Sequence, residues 1–345
     1  MKSSTSITSD VPAEKGLPVN NQPASRPIVG ITIGDPCGIG PEVIAKAWAD
    51  EKLHQTCNPV LIGSVGVMGD AVRIAGLHAQ VRAVPRASQV THSHTIDVIE
   101  PVEFDMAWVR YGQDVERAGW ASGAWLDHAD RLARQGALAA SVMGPISSGS
   151  MKMAGTLGSI ATNRDSGAYL LLHSGPLTIA HLSDHVPLAS VSSLITTEAL
   201  LALLRSLDDW MKQAGLQSRR IAVAGFNPHA EGREEREQID PAIVIARSEG
   251  LDVAGPISPD SVFRHCIEGR YDVVVAMYHD QGHIAMKTWG FSGNSVAMIG
   301  PPYIHMTVAH GVAHEIAGLG KADHTMILNA ILNAATLACG QGFYD

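Results

Sequence analysis

The stretch "IVGITIGDPCGIGPEVIAKAWADEKL", from Ile28 to Leu53, decides the fold class. Its first part is an apolar, β-rich run that predicts a strand over residues 28–34. Its last part spaces apolar residues at helical intervals and predicts a helix over 40–53, with Pro41 in the first turn. A glycine-rich loop joins the two. A strand that leads directly into a helix is one unit of an α/β fold.

The same alternation continues along the chain. Apolar runs predict further strands over 58–64, 96–102, 137–146, 177–183, 220–228, 271–280 and 295–300. Helical spacing predicts further helices over 120–137, 196–215, 238–250 and 321–339. We therefore expect an α/β protein whose sheet is parallel and covered by helices on both faces.

The composition excludes several classes of protein. The 345 residues are 46% hydrophobic and 17% charged, which suits one large or two closely joined domains. A net charge of -9 without a Lys and Arg cluster argues against nucleic-acid binding. No apolar run reaches the roughly 20 residues of a membrane span, and the scattered cysteines fit a reducing compartment. We expect a cytoplasmic protein with no membrane or nucleic-acid partner, and a disordered tail over residues 1–27.

Three histidines follow predicted strands: His185 in "HLSDHVPL", His229 in "NPHAEG" and His279 in "YHDQGH". Ligands of open α/β sheets bind beyond the carboxyl ends of strands, and neutral imidazoles suit Zn²⁺, Co²⁺, Mn²⁺ or Mg²⁺. The plainer alternative is that each histidine is a satisfied surface or core residue. His279 and His283 have the spacing of a helical zinc pair, but Gly282 and the preceding β-run favour a loop. His283 therefore stays unassigned.

Two glycine-containing loops could cradle a ligand. The loop "GDPCGIGPE", at 34–42, permits positive φ and close backbone approach, and the helix after it offers free N–H groups. It lacks the GxGxxG pattern of a Rossmann site, so a tight structural turn is an equal alternative. The segment "HGVAHEIAGLGKAD", at 310–323, is also consistent with a short helix closed by glycine.

Five blocks of the sequence resemble the 4-hydroxythreonine-4-phosphate dehydrogenase family and, more distantly, isocitrate and isopropylmalate dehydrogenases. The blocks occur in the family's order and are "GDPCGIGPE", "NPHAEG", "GPISPDSVF", "YDVVVAMYHDQG" and "VAHGVAHEIAGLGKAD". The resemblance covers nearly everything after the tail. It implies two α/β/α subdomains with a cleft between them. Residues 28–137 plus 290–345 form the cofactor side, and 138–289 form the metal, substrate and dimerisation side.

The resemblance also implies roles for single residues. The family's metal ligands fall on His185, His229 and His279, which would hold one divalent metal at a dimer interface with ligands from both subunits. Lys287 matches a substrate-contacting lysine and Asp280 an acidic neighbour of the metal, so both are candidate catalytic residues. NAD or NADP is expected to bind without a Rossmann fingerprint, at Gly34, Asp35, Gly38, His310 and Gly311.

The chain departs from the family where the substrate phosphate is held. Ser147 and Ser148 replace a His-Lys pair, and Val296 and His305 replace an asparagine and an arginine. A Gly-His-Thr-Glu stretch is replaced by "NRDSGAYL" at 163–170. Because charge-assisted hydrogen bonds to a phosphate are lost with an arginine, a different substrate grip is expected.

These observations lead to one main hypothesis about function. We expect a metal- and NAD(P)-dependent dehydrogenase that oxidises a secondary alcohol β to a carboxylate, with decarboxylation. The small hydroxy acid would be unphosphorylated, such as a terephthalate-type cis-dihydrodiol. One alternative is 4-hydroxythreonine-4-phosphate dehydrogenase activity in pyridoxal 5′-phosphate synthesis. Another is a catalytically silent ligand-binding homologue.

Overall fold

The structure is a computed structural model and describes residues 26–89, 95–160, 168–290 and 294–344. The predicted tail lies outside the described residues up to residue 25. Its last two residues contradict the prediction, because they pack against the second strand. The Pro27 carbonyl accepts a hydrogen bond from the Asn58 N–H at 2.8 Å, and the Arg26 carbonyl accepts one from the Asn58 side chain at 3.0 Å.

The described residues form twelve strands and eleven α-helices. The strands are β1 Ile28–Thr32, β2 Asn58–Ile62, β3 Val81–Ala83, β4 Ile96–Ile99, β5 Ala140–Met143, β6 Tyr169–Ser174, β7 Leu177–His181, β8 Ile221–Ala224, β9 Val253–Ile257, β10 Val273–Ala276, β11 Ser295–Ile299 and β12 Ile304–Val308. The helices are α1 Gly40–Trp48, α2 Glu51–Thr56, α3 Val65–Ile74, α4 Glu116–Arg134, α5 Ser148–Ala154, α6 Leu188–Leu194, α7 Thr197–Gln213, α8 Asp240–Ser248, α9 Val262–Ile267, α10 His279–Trp289 and α11 Thr325–Ala338.

All twelve strands belong to one sheet, in the order β3-β4-β2-β1-β5-β12-β11-β6-β7-β10-β8-β9. The six strands from β3 to β12 are parallel to one another, and so are the four from β7 to β9. Strand β11 is antiparallel to both of its neighbours, and β6 is antiparallel to β7. The α/β class is confirmed, but the expectation of a wholly parallel sheet is wrong at the centre. Tight connections join β6 to β7 and β11 to β12, as only antiparallel pairs allow.

Burial explains why the strands were recognisable. Strands β5, β8 and β10 are buried at every residue, which requires cover on both faces of the sheet. The helix predicted over 40–53 is in fact two helices. It stops at Trp48, and α2 begins after Asp50, whose carboxylate accepts the Lys52 N–H at 2.9 Å.

The sheet continues across the two predicted subdomains. Strand β5, in the segment assigned to the metal side, pairs with β1 and β12 of the cofactor side. The division at 137 and 290 stays a prediction. No single helix in the described ranges is long and apolar enough to cross a membrane; α6 and α7, bent by 86°, meet the length and composition only as a pair.

Candidate active site

A cleft of about 510 Å³ lies over the centre of the sheet. Its floor is a row of cross-strand neighbours. Val296 of β11 faces Leu172 of β6 and Thr307 of β12, and Thr307 faces Met143 of β5. All four residues line the cleft. Because direct neighbours in a sheet have Cβ atoms about 5 Å apart, the register of the strands fixes an almost wholly apolar floor.

The two walls of the cleft come from different halves of the sheet. The first wall follows β5 and β12 and includes Ser148, His310 and Gly311. The second follows β7 and β10 and carries most of the titratable groups, namely Asp184, His185, His279, His283 and Lys287. The two sets of strands run in opposite directions, because the pairs β12–β11, β11–β6 and β6–β7 are all antiparallel, and residues that follow both sets line the same cavity.

The second wall contains a group of side chains that fits a metal ion. Asp184, His185 and His279 each offer one ligand atom, and these atoms lie within 4.8 Å of one another. Nδ1 of His279 lies 2.7 Å from Oδ1 of Asp280, so Nδ1 carries the proton and Nε2 is left as a lone-pair donor. Nδ1 of His185 lies 2.8 Å from Oδ1 of Asp184. The contact with this carboxylate, together with the negative charge of Asp184, raises the pKa of His185.

Backbone hydrogen bonds hold this group in place. After β7, the Leu182 N–H donates to the Ala276 carbonyl at 2.9 Å, and the Ser183 hydroxyl donates to the Met277 carbonyl at 3.0 Å. The chain therefore runs along the end of β10 before it reaches Asp184. Helix α10 starts two residues beyond Met277, and this brings His279 to the same place.

The expectation of a loop at "YHDQGH" is wrong. Strand β10 ends at Ala276, and α10 runs from His279 to Trp289, so the helical spacing of His279 and His283 is real. The reason is packing at Gly282. A Cβ there would lie 2.3 Å from Nε2 of His181 on β7, so glycine lets the helix approach the sheet. Glycine within a helix costs only about 1 kcal/mol relative to alanine, which such packing can offset.

Within the described residues, His283 is not part of the group of possible ligand atoms around His279. The rings of His279 and His283 stack at 3.7 Å between centroids, and Nδ1 of His283 hydrogen-bonds the His279 carbonyl at 3.1 Å. Burial, with the nearby His279, lowers the pKa of His283 to about 4. His283 thus separates the metal-type group from Lys287, one turn further along α10 and also in the cleft wall.

Asp280 lies at the solvent side of this wall. Its side chain is 73% exposed, and its contact with His279 lowers the pKa of the carboxyl. It lines a smaller neighbouring cleft with His185 and His279 and is absent from the lining of the larger one. The structure brings it to His279, while its catalytic role stays a prediction.

His229 lies in another cleft, after β8, with Phe226, Tyr278 and Ile284. Its φ of 59° is left-handed, and the loop is fixed by Glu235, whose Oε1 accepts the Phe226 N–H at 2.8 Å. Within the part of the chain that the structure describes, His229 does not join the group around His279. The predicted metal role of His229 therefore depends on a second subunit and stays a prediction.

The four candidate substrate residues are separated. Val296 lies in the floor and Ser148 in a wall of the cleft. Ser147 is buried, and its hydroxyl hydrogen-bonds Asp114 while it accepts the Ser150 N–H at 3.1 Å as the cap of α5. The Ser147 hydroxyl therefore makes its hydrogen bonds within the protein. Residues 161–167, which hold most of the "NRDSGAYL" replacement, lie outside the described residues.

His305 does not reach the cleft, so the structure does not support its predicted contact with substrate. It is 4% exposed, and its ring lies 6.0 Å from that of Tyr303. Burial lowers the pKa of His305 to about 4. His305 lies on β12 two residues before Thr307 and is therefore further from the carboxyl end of the strand.

The two candidate cofactor segments meet at the first wall. The Ile39 N–H donates to the Val312 carbonyl at 3.0 Å, and a Cβ on Gly38 would lie 2.6 Å from Cβ of Val312. Gly34 has φ of 75°, and a Cβ there would lie 2.1 Å from the Pro145 carbonyl oxygen. Both glycines are explained by contacts between chain segments, as the structural-turn alternative predicted. Their cofactor role stays a prediction.

Asp35 and the turn at His310 and Gly311 are the other predicted cofactor residues. Asp35 is fully buried and accepts the Cys37 N–H at 2.7 Å; burial raises the pKa of its carboxyl. His310 and Gly311 line the cleft, and a Cβ on Gly311 would meet open space. The turn thus presents open backbone to the cavity, which fits a cofactor better than the closed loop at Gly34.

Comparison with known proteins decides the family. The family model described as "Pyridoxal phosphate biosynthetic protein PdxA" matches residues 55–334. The chain belongs to the PdxA family. A Novosphingobium aromaticivorans protein, provisionally named a 4-hydroxythreonine-4-phosphate dehydrogenase, is 49% identical over 319 residues, which cover 92% of this chain and 97% of that protein.

Two solved structures resemble the chain over most of its length. The 4-hydroxythreonine-4-phosphate dehydrogenase of Klebsiella pneumoniae has a TM-score of 0.82 and 32% identity, covering 90% of this chain and 99% of that chain. A terephthalate 1,2-cis-dihydrodiol dehydrogenase of Burkholderia xenovorans LB400 has a TM-score of 0.64 and 29% identity, covering 90% and 98%. The resemblance inferred from the sequence is confirmed, and the chain is a dehydrogenase that acts on a CH–OH group.

Sequence reasoning missed three features of the cleft. Asp184 was overlooked although it precedes His185, and a carboxylate beside a candidate ligand is a signal that could have been used. Leu172 and Thr307 were missed because β6 and β12 were not predicted. Their role in the floor follows from cross-strand register, which a single sequence does not reveal.

Proposed function

We propose that this dehydrogenase uses a divalent metal ion and NAD⁺ or NADP⁺ to oxidise a secondary alcohol β to a carboxylate. The supporting observation is that one cleft collects the metal-type group around His279, the ammonium group of Lys287 and the open turn at His310 and Gly311. The three parts lie along a single apolar floor. An alcohol held on that floor would have a cation on one side and the cofactor on the other.

The residues present fit a divalent cation. Imidazole and carboxylate are ligands of Zn²⁺, Co²⁺ and Mn²⁺, and Asp280 holds His279 with Nε2 free to bind. A divalent cation bound by these residues would supply Lewis acidity to the oxygen atom of the substrate alcohol. Lys287 binds the substrate carboxylate through charge-assisted hydrogen bonds. The apolar floor keeps water from beneath the reacting carbon.

The substrate class is proposed from the relatives. The names of the Novosphingobium and Klebsiella proteins specify a phosphorylated hydroxy amino acid, and the dihydrodiol dehydrogenase has the lower TM-score. The comparisons therefore favour the alternative given above, a 4-phosphorylated hydroxy acid, over the leading dihydrodiol hypothesis. The dihydrodiol is kept as a second candidate because the floor of Met143, Leu172 and Val296 suits a ring.

The test is steady-state turnover with both substrates. With Mn²⁺ or Co²⁺ and either cofactor, we expect kcat/KM to be at least about 100-fold higher for 4-hydroxythreonine 4-phosphate, a difference of roughly 2.7 kcal/mol in transition-state binding. A preference for the carboxylated cis-dihydrodiol would reverse the assignment. Turnover of neither substrate, with metal and cofactor bound, would refute both.

Decarboxylation is part of the proposal. Oxidation at the carbon β to a carboxylate yields a β-keto acid, and the loss of CO₂ from it leaves electron density that a nearby cation can stabilise. We expect one CO₂ per reduced cofactor, released no more slowly than the ketone forms. A lag between cofactor reduction and CO₂ release would show that the second step occurs after the product leaves.

We also propose that two copies of the chain form a homodimer in which His229 completes the other copy's site. The cleft around His229 contains Ile284, which is 67% exposed. Leu188 and Trp289, which are close in sequence to His185 and Lys287 of the second wall, are 65% and 49% exposed. Mixing His229→Ala with His279→Ala subunits tests this. Random pairing should restore about a quarter of wild-type activity, because half of the sites in mixed dimers are intact. No recovery would contradict shared sites.

A further inference from the structure

We propose that Asp184 is a direct ligand of the divalent cation, so that one subunit supplies two imidazoles and one carboxylate. The inference rests on the proposed function, since it requires that the cleft bind a cation. It adds a carboxylate to the three histidines that the family resemblance implies.

The position of Asp184 is rigid enough for a ligand. The two residues before it are bonded to the end of β10 through Ala276 and Met277. The residue after it is His185, and all three ligand atoms of Asp184, His185 and His279 lie within 4.8 Å of one another. Ligands of one ion at about 2.1 Å are roughly 3 to 4 Å apart, so only a small closure around the ion is needed.

One oxygen of the Asp184 carboxylate also lacks a well-aligned hydrogen-bond donor among the described residues. This oxygen, Oδ1, is shielded from solvent, and no described residue gives it a hydrogen bond of good alignment, although Nδ1 of His185 lies 2.8 Å away. A buried carboxylate oxygen is costly unless it is paired or binds a metal. Asp184 borders both the large cleft and the smaller one beside it, so an ion between the clefts can reach it.

Asp280 provides a comparison within the same wall. Both carboxylates are next to a histidine in sequence, and both lie within 3 Å of its Nδ1. Asp280 is 73% exposed and makes an aligned hydrogen bond to His279, which is the arrangement of an outer carboxylate that orients a ligand. Asp184 is half as exposed, at 36%; its Oδ1 is shielded from solvent, and one of its oxygens belongs to the group of ligand atoms. The two aspartates therefore have different roles.

A carboxylate ligand changes which ions are preferred. Two imidazoles alone favour Zn²⁺ and Co²⁺, whereas an added carboxylate improves binding of harder ions such as Mn²⁺ and Mg²⁺. With Asp184, a subunit also has three ligands of its own before any contribution from His229. We therefore expect His229→Ala to weaken the binding of Mn²⁺ without abolishing it.

The experiment measures metal binding directly, without turnover. Mn²⁺ and Zn²⁺ are titrated into metal-free protein by calorimetry, and Co²⁺ binding is followed by visible absorption. The variants are Asp184→Asn, Asp184→Ala and Asp280→Asn, with Asp209→Asn on the exposed surface of α7 as the matched control. Asparagine keeps an oxygen for Nδ1 of His185 but is a poor metal ligand. Thermal unfolding of each metal-free variant checks that it folds.

We expect Asp184→Asn and Asp184→Ala to weaken Mn²⁺ binding equally and by at least about 100-fold, which exceeds the usual loss for an outer carboxylate. The Zn²⁺ loss should be smaller, and the Co²⁺ spectrum should change. Asp280→Asn should lose about tenfold or less. If Asp184→Asn binds Mn²⁺ like wild type while Asp184→Ala does not, Asp184 only orients His185 and the inference is wrong. If wild type binds no metal, the proposed function itself fails.

Discussion

The two walls of the cleft are built by different means. The wall after β5 and β12 brings together loops from the two ends of the chain, and these are held by backbone hydrogen bonds and glycine contacts, as at Gly38 and Val312. The wall after β7 and β10 is a set of imidazoles and carboxylates, held by the start of α10 and the chain after β7. The first wall, called here the wall of shape, depends on close backbone packing, and the second, called the wall of charges, depends on ionisable side chains. Substitutions in the first wall should therefore affect mainly stability, and substitutions in the second should affect mainly metal binding.

The largest effect is expected in the wall of charges. His279→Ala removes an imidazole that belongs to the group of ligand atoms, so metal binding should fall by at least about 1,000-fold, and kcat/KM with it. Calorimetry with Mn²⁺ and steady-state kinetics measure the two quantities. Stability of the metal-free protein should change little, because His279 is near the surface of the cleft. A variant that keeps its metal would contradict the division between the walls.

The next effect is expected in the wall of shape. Gly38→Ala places a methyl group 2.6 Å from Cβ of Val312 and should lower the free energy of unfolding by about 1 to 3 kcal/mol. Cofactor binding should weaken, while metal affinity is unchanged. Gly158→Ala is the matched control, since nothing lies within 4 Å of its Cβ position and Gly158 does not line the cleft. Urea unfolding and cofactor titration measure both variants; equal stability of the two would refute the packing argument.

The same difference decides what the sequence could predict. The strand before Gly34 and the helix after it were found because apolar periodicity and the Pro41 position are local signals. His185 and His279, which the structure brings together, were singled out because they follow strands, whereas His229 was singled out in the same way and lies in another cleft. Helix α10 was missed because the reason for Gly282 is a contact with His181, about 100 residues earlier in the chain. Asp184 and the floor strands depend on long-range contacts in the same way, and local patterns carry little information about them.

Gly282 offers a smaller and more specific test. Gly282→Ala would push a methyl group to 2.3 Å from Nε2 of His181 and move α10 away from β7. We expect metal affinity to fall by about tenfold and stability by about 1 to 3 kcal/mol, with cofactor affinity kept. Gly69→Ala, in α3, has nothing within 4 Å and should stabilise the protein by about 0.5 to 1 kcal/mol. If the two substitutions change the free energy of unfolding in opposite directions, packing and not helix propensity selects glycine at position 282.

The smallest effect concerns imidazoles outside the wall of charges. Burial lowers the pKa of His173 and of His305 to about 4, whereas an unfolded histidine titrates near 6.5. Between these pKa values the unfolded state binds more protons, so the contribution of neutral histidine to stability is complete above about pH 6.5 and is lost as the pH falls towards 4. Each group changes the free energy of unfolding by at most about 1.4 kcal/mol per pH unit. Urea unfolding of His305→Gln between pH 7 and pH 4.5 should show a lower overall stability but a shallower decline than wild type. An unchanged slope would mean that the His305 proton equilibrium is the same in both states, and that its burial beside Tyr303 has no energetic consequence.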